Sequence, residues 1–211
     1  MEPNPEQMSG TDEYRLLRAY CNKRKKSRSG PSSKSTAQHM SVACFASIKR
    51  SEIPLPTDGI DIVADKLTQI ADHVPLVREY IEEDSSDCDD IIFKLVDILK
   101  ESGDRLNEEI EKDRILVKTL QQSFTYSFFK KLTTAFIESV TVVRGPGKES
   151  SEKETEIAMT CEVTSRLTAL DLQPMNRAMG FGAAYLKEHY SVWAKNQGGW
   201  ENVLASEDEV E

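Results

Sequence analysis

No apolar run in the 211-residue sequence is long enough to cross a bilayer. The longest stretch free of Lys, Arg, Asp and Glu, from Ser35 to Ile48, is half polar, whereas a spanning helix needs roughly 20 mostly apolar residues. Met1-Glu-Pro-Asn-Pro-Glu has neither the basic nor the apolar region of a signal peptide. The expectation is therefore neither an integral membrane protein nor a conventionally secreted one. Cysteines are few and scattered: Cys21, Cys44, Cys88 and Cys161 form no C-x-x-C. With three separate histidines (His39, His73, His189) they give no metal-ligand spacing, so reduced thiols in a cytosolic or nuclear protein are expected, and no metal site. Gly147-Lys148 is not a phosphate-binding loop. Val142 stands where the first glycine of G-x-x-x-x-G-K belongs, and Glu149 replaces the hydroxyl residue. With no nucleophile–base pair either, the chain is expected to be a non-enzyme without a cofactor.

Strand-like alternation is also missing, and helical periodicity takes its place. Ile60, Val63, Leu67, Ile70 and Val74 recur at three or four residues behind Asp58, a candidate N-cap. After the acidic run Glu79–Asp90, which reads as an exposed linker, Ile91, Ile92, Leu95, Leu99, Leu106 and Ile110 form a second stripe over Asp90–Lys112. Ile115, Leu116 and Leu120 continue it beyond a break near Asp113. Phe124 to Val143 follows, through Phe128, Phe129, Leu132, Phe136 and Val140, and Gly145-Pro146-Gly147 ends it. Glu152–Leu172 is helical through Ile157, Cys161, Leu167 and Leu170. Pro174 then opens a helix running to about His189, and Gly198-Gly199 marks a helix end followed by a further short helix.

Charge divides the chain. Residues 1–50 carry +6 and residues 51–211 carry −15. An acidic body is a poor partner for nucleic acid or an anionic membrane, because both need clustered positive charge. Lys23, Arg24, Lys25, Lys26 and Arg28 form the basic cluster, and Ser29-Gly30-Pro31-Ser32-Ser33 after it has the composition of a flexible linker. The cluster reads first as a solvated basic segment and second as a nuclear-import signal or a nucleic-acid contact. Hydrophobic residues make up 38% and charged residues 30%, so part of the chain is expected to lie outside any core. The predicted organisation is a largely disordered basic arm over 1–57, with a short helix at Asp12–Cys21, then a helical bundle over 58–205 and an acidic tail over 206–211.

Two segments stand out together. Leu95-x-x-x-Leu99-x-x-x-Gly103-Asp104-x-Leu106 puts three leucines on one helical face, a glycine where another backbone can approach, and a carboxylate at the rim. Tyr185-Leu186-Lys187-Glu188-His189 leads into Trp193-x-x-x-x-Gly198-Gly199-Trp200. The first resembles the third homology motif (BH3) of the Bcl-2 family of apoptosis regulators, and the second resembles its BH2 motif. The resemblance implies an all-α bundle of seven or eight helices that regulates apoptosis, on the promoting side, through contacts with other Bcl-2 family proteins. It assigns Leu95, Leu99, Gly103, Asp104 and Leu106 to an interaction face, and Trp193, Gly198, Gly199 and Trp200 to closing the bundle. Departures point to an alternative, a helical adaptor that kept the fold and lost groove binding. Ser102 stands where BH3 helices carry an apolar residue, and no Asn-Trp-Gly-Arg occurs between Val143 and Glu156. Glu154, Glu156, Glu162, Arg166 and Asp171 make Glu152–Leu172 too charged for a membrane hairpin, and Ser206–Glu211 is no apolar anchor, so no stable membrane insertion is expected.

Overall fold

The computed structural model describes residues 8–28, 58–76, 87–100, 105–144, 149–170, 172, 175 and 177–204. Among them are eight α-helices: α1 (Asp12–Arg28), α2 (Gly59–His73), α3 (Asp87–Lys100), α4 (Leu106–Lys112), α5 (Arg114–Ser123), α6 (Tyr126–Arg144), α7 (Glu149–Thr168) and α8 (Ala178–Asn196). The described residues contain no strand. The all-α expectation holds.

The bundle is built around α7, which packs against α1, α2, α6 and α8. Every residue from Ile157 to Leu167 is buried. A helix surrounded on all sides shows no single apolar stripe, which is why its periodicity is weak in sequence. Its hydroxyls are satisfied inside the helix: Thr160 Oγ1 donates to the Glu156 carbonyl and Thr164 Oγ1 to the Thr160 carbonyl, each at 2.8 Å. α3 packs on α6 and α4. An aromatic group fastens the end of α5 and α6 to α8, with the Phe181 ring 5.5 Å from Phe124, just after α5, and 6.0 Å from Phe129 of α6 between centroids.

Local chemistry sets the helix ends. Thr11 Oγ1 accepts from the Tyr14 amide at 3.3 Å and opens α1. The expected break near Asp113 is present. The Asp113 carboxylate accepts from the amides of Ile115 and Leu116 at 2.9 and 3.2 Å, stopping α4 and starting α5. α8 ends in a Schellman turn: Gly199 N–H reaches the Ala194 carbonyl at 2.8 Å and Gly198 N–H that of Lys195 at 3.1 Å. Both glycines have positive φ, +87° and +96°, where a side chain would strain the backbone.

Several boundaries differ from the sequence expectation. Asp12–Arg28 is seven residues longer than the expected Asp12–Cys21 and belongs to the core, because Leu16, Leu17, Tyr20 and Cys21 are buried. The span 1–57 is thus divided: α1 is a bundle helix, and residues 1–7 and 29–57 lie outside the described residues. Asp58 occupies the N-cap position of α2 without making a capping bond. Its carboxylate is taken by Arg15 of α1 at 2.6 Å. α3 starts at Asp87, inside the run expected to be a linker, and the single stripe Asp90–Lys112 is two helices. α8 runs on to Asn196 because Tyr190 and Ala194 extend its buried face, and residues 200–204 form turns instead of a further helix. The acidic residues 79–86, Gly145-Pro146-Gly147, Pro174 and the tail 206–211 lie outside the described residues.

α8 reaches α7 closely at Gly182. A Cβ there would overlap Thr164 Oγ1 and sit 3.0 Å from Leu17 Cδ1. Gly182→Ala is expected to lower stability by about 1–3 kcal/mol, measured by urea unfolding, because the three helices must separate to admit a methyl group. Removal of residues 1–28 is expected to abolish the cooperative thermal transition, since each buried Leu or Tyr of α1 contributes about 1.5–3 kcal/mol. A truncated chain that melts like the parent would show α1 to be dispensable.

Candidate interaction site

α3 is amphipathic, and its apolar side faces inward. Ile92, Leu95, Val96 and Leu99 are buried at i, i+3, i+4 and i+7, with Leu95 and Leu99 at 0% exposure, while Phe93 on the opposite side is 46% exposed. Leu106 on α4 is buried too. The three leucines of the BH3-like pattern are brought together as members of one core. Gly103, Asp104 and Ser102 lie outside the described residues.

The last turn of α3 is held by a buried charge network. Glu162 of α7 is 3% exposed. Its Oε2 accepts from the Tyr20 hydroxyl at 2.6 Å and from Arg24 Nε at 2.8 Å, and its Oε1 accepts from Arg166 Nε at 2.7 Å. Arg166 also donates through Nη1 to the Leu99 carbonyl, one of the carbonyls that a helix end leaves without an internal partner. Arg24 Nη1 reaches Asp72 of α2 at 2.6 Å. Burial alone would raise the Glu162 carboxyl, but Arg166, Arg24 and the Tyr20 hydroxyl outweigh it and hold the group below its ordinary 4.5. Burial, and then Glu162, push the Tyr20 phenol up, so it stays a donor.

The BH2-like residues lie where the chain closes on itself. Trp200 is buried, and its Nε1 donates to Glu13 Oε1 of α1 at 3.0 Å. Trp193 is half-buried against the core. Gly198 and Gly199 make the turn between them. Lys66 Nζ of α2 binds the Leu204 carbonyl at 2.6 Å. Of the basic cluster, Lys23 pairs with Asp65 of α2 at 2.7 Å and Arg24 belongs to the core network. Lys25 and Lys26 are exposed, and Arg28 is the last residue of α1.

Sequence reasoning counted Glu162 and Arg166 as charges that spoil a membrane helix and missed them as a pair. The available signal was their i,i+4 spacing inside an otherwise uncharged stretch, Ile157–Leu167. Cys21 and Cys161 are buried free thiols, both pushed up by burial and so poor nucleophiles. Among the described residues no group of three or more His, Cys, Asp and Glu could hold a metal ion, and no helix is long and apolar enough to cross a membrane.

The depressed carboxyl of Glu162 links the network to pH. A group held low when folded stabilises fully above its unfolded value, and that stability is lost as pH falls through the lower folded value. Stability should therefore fall as pH drops below 4.5. Glu162→Gln should cost about 3 kcal/mol at pH 7 and show a shallower acid dependence. Urea unfolding at neutral and acid pH checks both, and a variant with the parent's acid slope would contradict the assignment.

No family model matches the chain, and no solved structure does. The chain is similar to proteins called apoptosis facilitator Bcl-2-like protein 14. It is 42% identical to that of Mus musculus over 124 residues, covering 58% of this chain and 37% of the relative. It is 38% identical to that of Homo sapiens over 146 residues, covering 68% and 42%. The Rattus norvegicus relative is 40% identical over 124 residues, covering 58% and 37%. The matched region spans 37–42% of the length of these relatives. At this identity, with an all-α bundle around a buried central helix, the chain belongs to the Bcl-2 family.

Proposed function

We propose that the chain is a non-enzymatic regulator of apoptosis, acting on the promoting side through protein–protein contact, with α3 and the start of α4 as its interaction segment. Family membership supports the process, and the relatives' name, apoptosis facilitator, supports the direction. The observation that carries the mechanism is that Leu95 and Leu99 on one face of α3, and Leu106 at the start of α4, are all buried in the core. A leucine side chain cannot fill the core and a partner's groove at once. Binding therefore waits for the helix to open, and the apparent affinity falls with the open fraction. The partners in this proposal are other Bcl-2 family proteins with a formed groove. Stable membrane insertion and nucleic-acid binding have no part in it.

Complete burial of Leu95 and Leu99 also favours a second function, an adaptor that keeps the fold without engaging a groove. A titration of the 88–112 peptide and of the full chain against a panel of groove-bearing family members separates the two. The interaction-helix proposal expects measurable binding by the peptide and weaker binding by the full chain. Leu99→Ala or Asp104→Ala should remove most peptide binding. Ser102→Ile should strengthen it about ten- to a hundredfold, because one more buried aliphatic anchor contributes about 1.5–3 kcal/mol. A peptide that binds no member selects the adaptor. A full chain that binds as tightly as its peptide overturns the sequestered-helix mechanism.

A further inference from the structure

α7 packs on α1, α2 and α8, while the most extensive contacts of α3 are with α6 and α4. Two polar ties among the described residues cross from the α3–α4 segment toward the central helix. One is the bond from Arg166 to the Leu99 carbonyl in the last turn of α3. The other is a longer bond, 3.4 Å, from Asn107 Nδ2 in the first turn of α4 to the Ala169 carbonyl just past α7. Both end on the same end of α7, one before and one after the middle of the BH3-like segment.

We propose that Arg166 and Asn107 form an autoinhibitory latch that holds the BH3-like segment in the bundle, with Glu162 positioning the Arg166 guanidinium. The latch concerns the same segment as the proposed function, and its value for binding rests on that proposal, although its effect on opening does not. The chemistry is that of a planar fork. The guanidinium donates from Nε to Glu162 and from Nη1 to the Leu99 carbonyl, so one rigid group spans the carboxylate and the helix end. Tyr20 and Arg24 hold the other oxygen of Glu162 from α1 and leave Oε1 to Arg166. The fork is aimed by groups that do not move with α3. When α3 leaves, the positive charge stays compensated by Glu162, and the helix end gives up its carbonyl partner to water. Opening thus exposes the apolar face of α3 together with a helix-end carbonyl that water satisfies, while the ion pair between Arg166 and Glu162 remains intact. That pattern allows a segment to detach without unfolding the rest.

Hydrogen–deuterium exchange of the full chain tests this. Arg166→Lys keeps a cation beside Glu162 but replaces the fork with a point charge, and Asn107→Ala removes the second tie without touching the buried charges. Each variant is expected to raise exchange in residues 90–106 at least tenfold, with α8 as protected as in the parent. Unchanged protection of residues 90–106 in both variants, or loss spread equally over α8 in both, overturns the latch. If Arg166→Lys alone unfolds the chain, Asn107→Ala decides. A second measurement uses a purified groove-bearing Bcl-2 family protein as the probe. Tighter binding by the opened variants, by the factor seen in exchange, supports the latch and the proposed function together. Faster exchange without tighter binding supports the latch and removes α3 from the role of ligand.

Discussion

A single carboxylate, Glu162, meets four helices' worth of constraint at the centre of the bundle. An ionised group there would be unfavourable by several kcal/mol if left alone. Three donors satisfy it: a phenol and a guanidinium from α1, and a guanidinium one turn along α7. Through the remaining hydrogens of those donors the constraint passes to Asp72 on α2 and to the last turn of α3. Hydrophobic burial supplies the drive for the bundle, but apolar contact is tolerant of small rotations. The hydrogen bonds around Glu162 are not, so they specify how α1, α2, α3 and α7 sit relative to one another.

The rest of the core is arranged so that α7 can be enclosed. Thr160 and Thr164 turn their hydroxyls back onto its own carbonyls, and Gly182 lets α8 come close to both Thr164 of α7 and Leu17 of α1. Small and self-satisfied residues on α7 suit close packing on every side. The aromatic rings instead gather around Phe181 of α8, from Phe124 just after α5 and from Phe129 of α6.

Much of this was legible in the residues. The stripe Ile60–Val74, the break at Asp113, the buried Trp200 and the Gly-Gly helix end were each signalled by spacing or by a residue with one conformational use. The first helix was not. Leu16, Leu17 and Tyr20 make a short apolar face followed by a run of cations, a pattern that also describes a solvated arm. Only tertiary partners far along the chain, Asp65, Asp72 and Glu162, distinguish the two. Asp58 misled for a related reason. Its composition and place are those of a cap, but Arg15 offered a charged partner and took the carboxylate. At the candidate site, the leucine spacing was visible, while the polar link from Arg166 to a backbone carbonyl has no sequence signature.

The bond between Glu13 and Trp200 joins residues 187 positions apart, and the Tyr20–Glu162 bond spans 142. During synthesis α1 emerges shortly before α2, its largest partner, but well before α7, α8 and the turn after Gly199, which complete its surroundings. Until they arrive Tyr20 has no Glu162 and Glu13 has no Trp200. Long-range closure of this kind is intrinsically slow, and a nascent chain of this topology presents an incompletely enclosed amphipathic helix for that whole interval. The Schellman turn at Gly198–Gly199, which brings Trp200 back to Glu13, is the element of the enclosure of α1 that lies furthest along the chain.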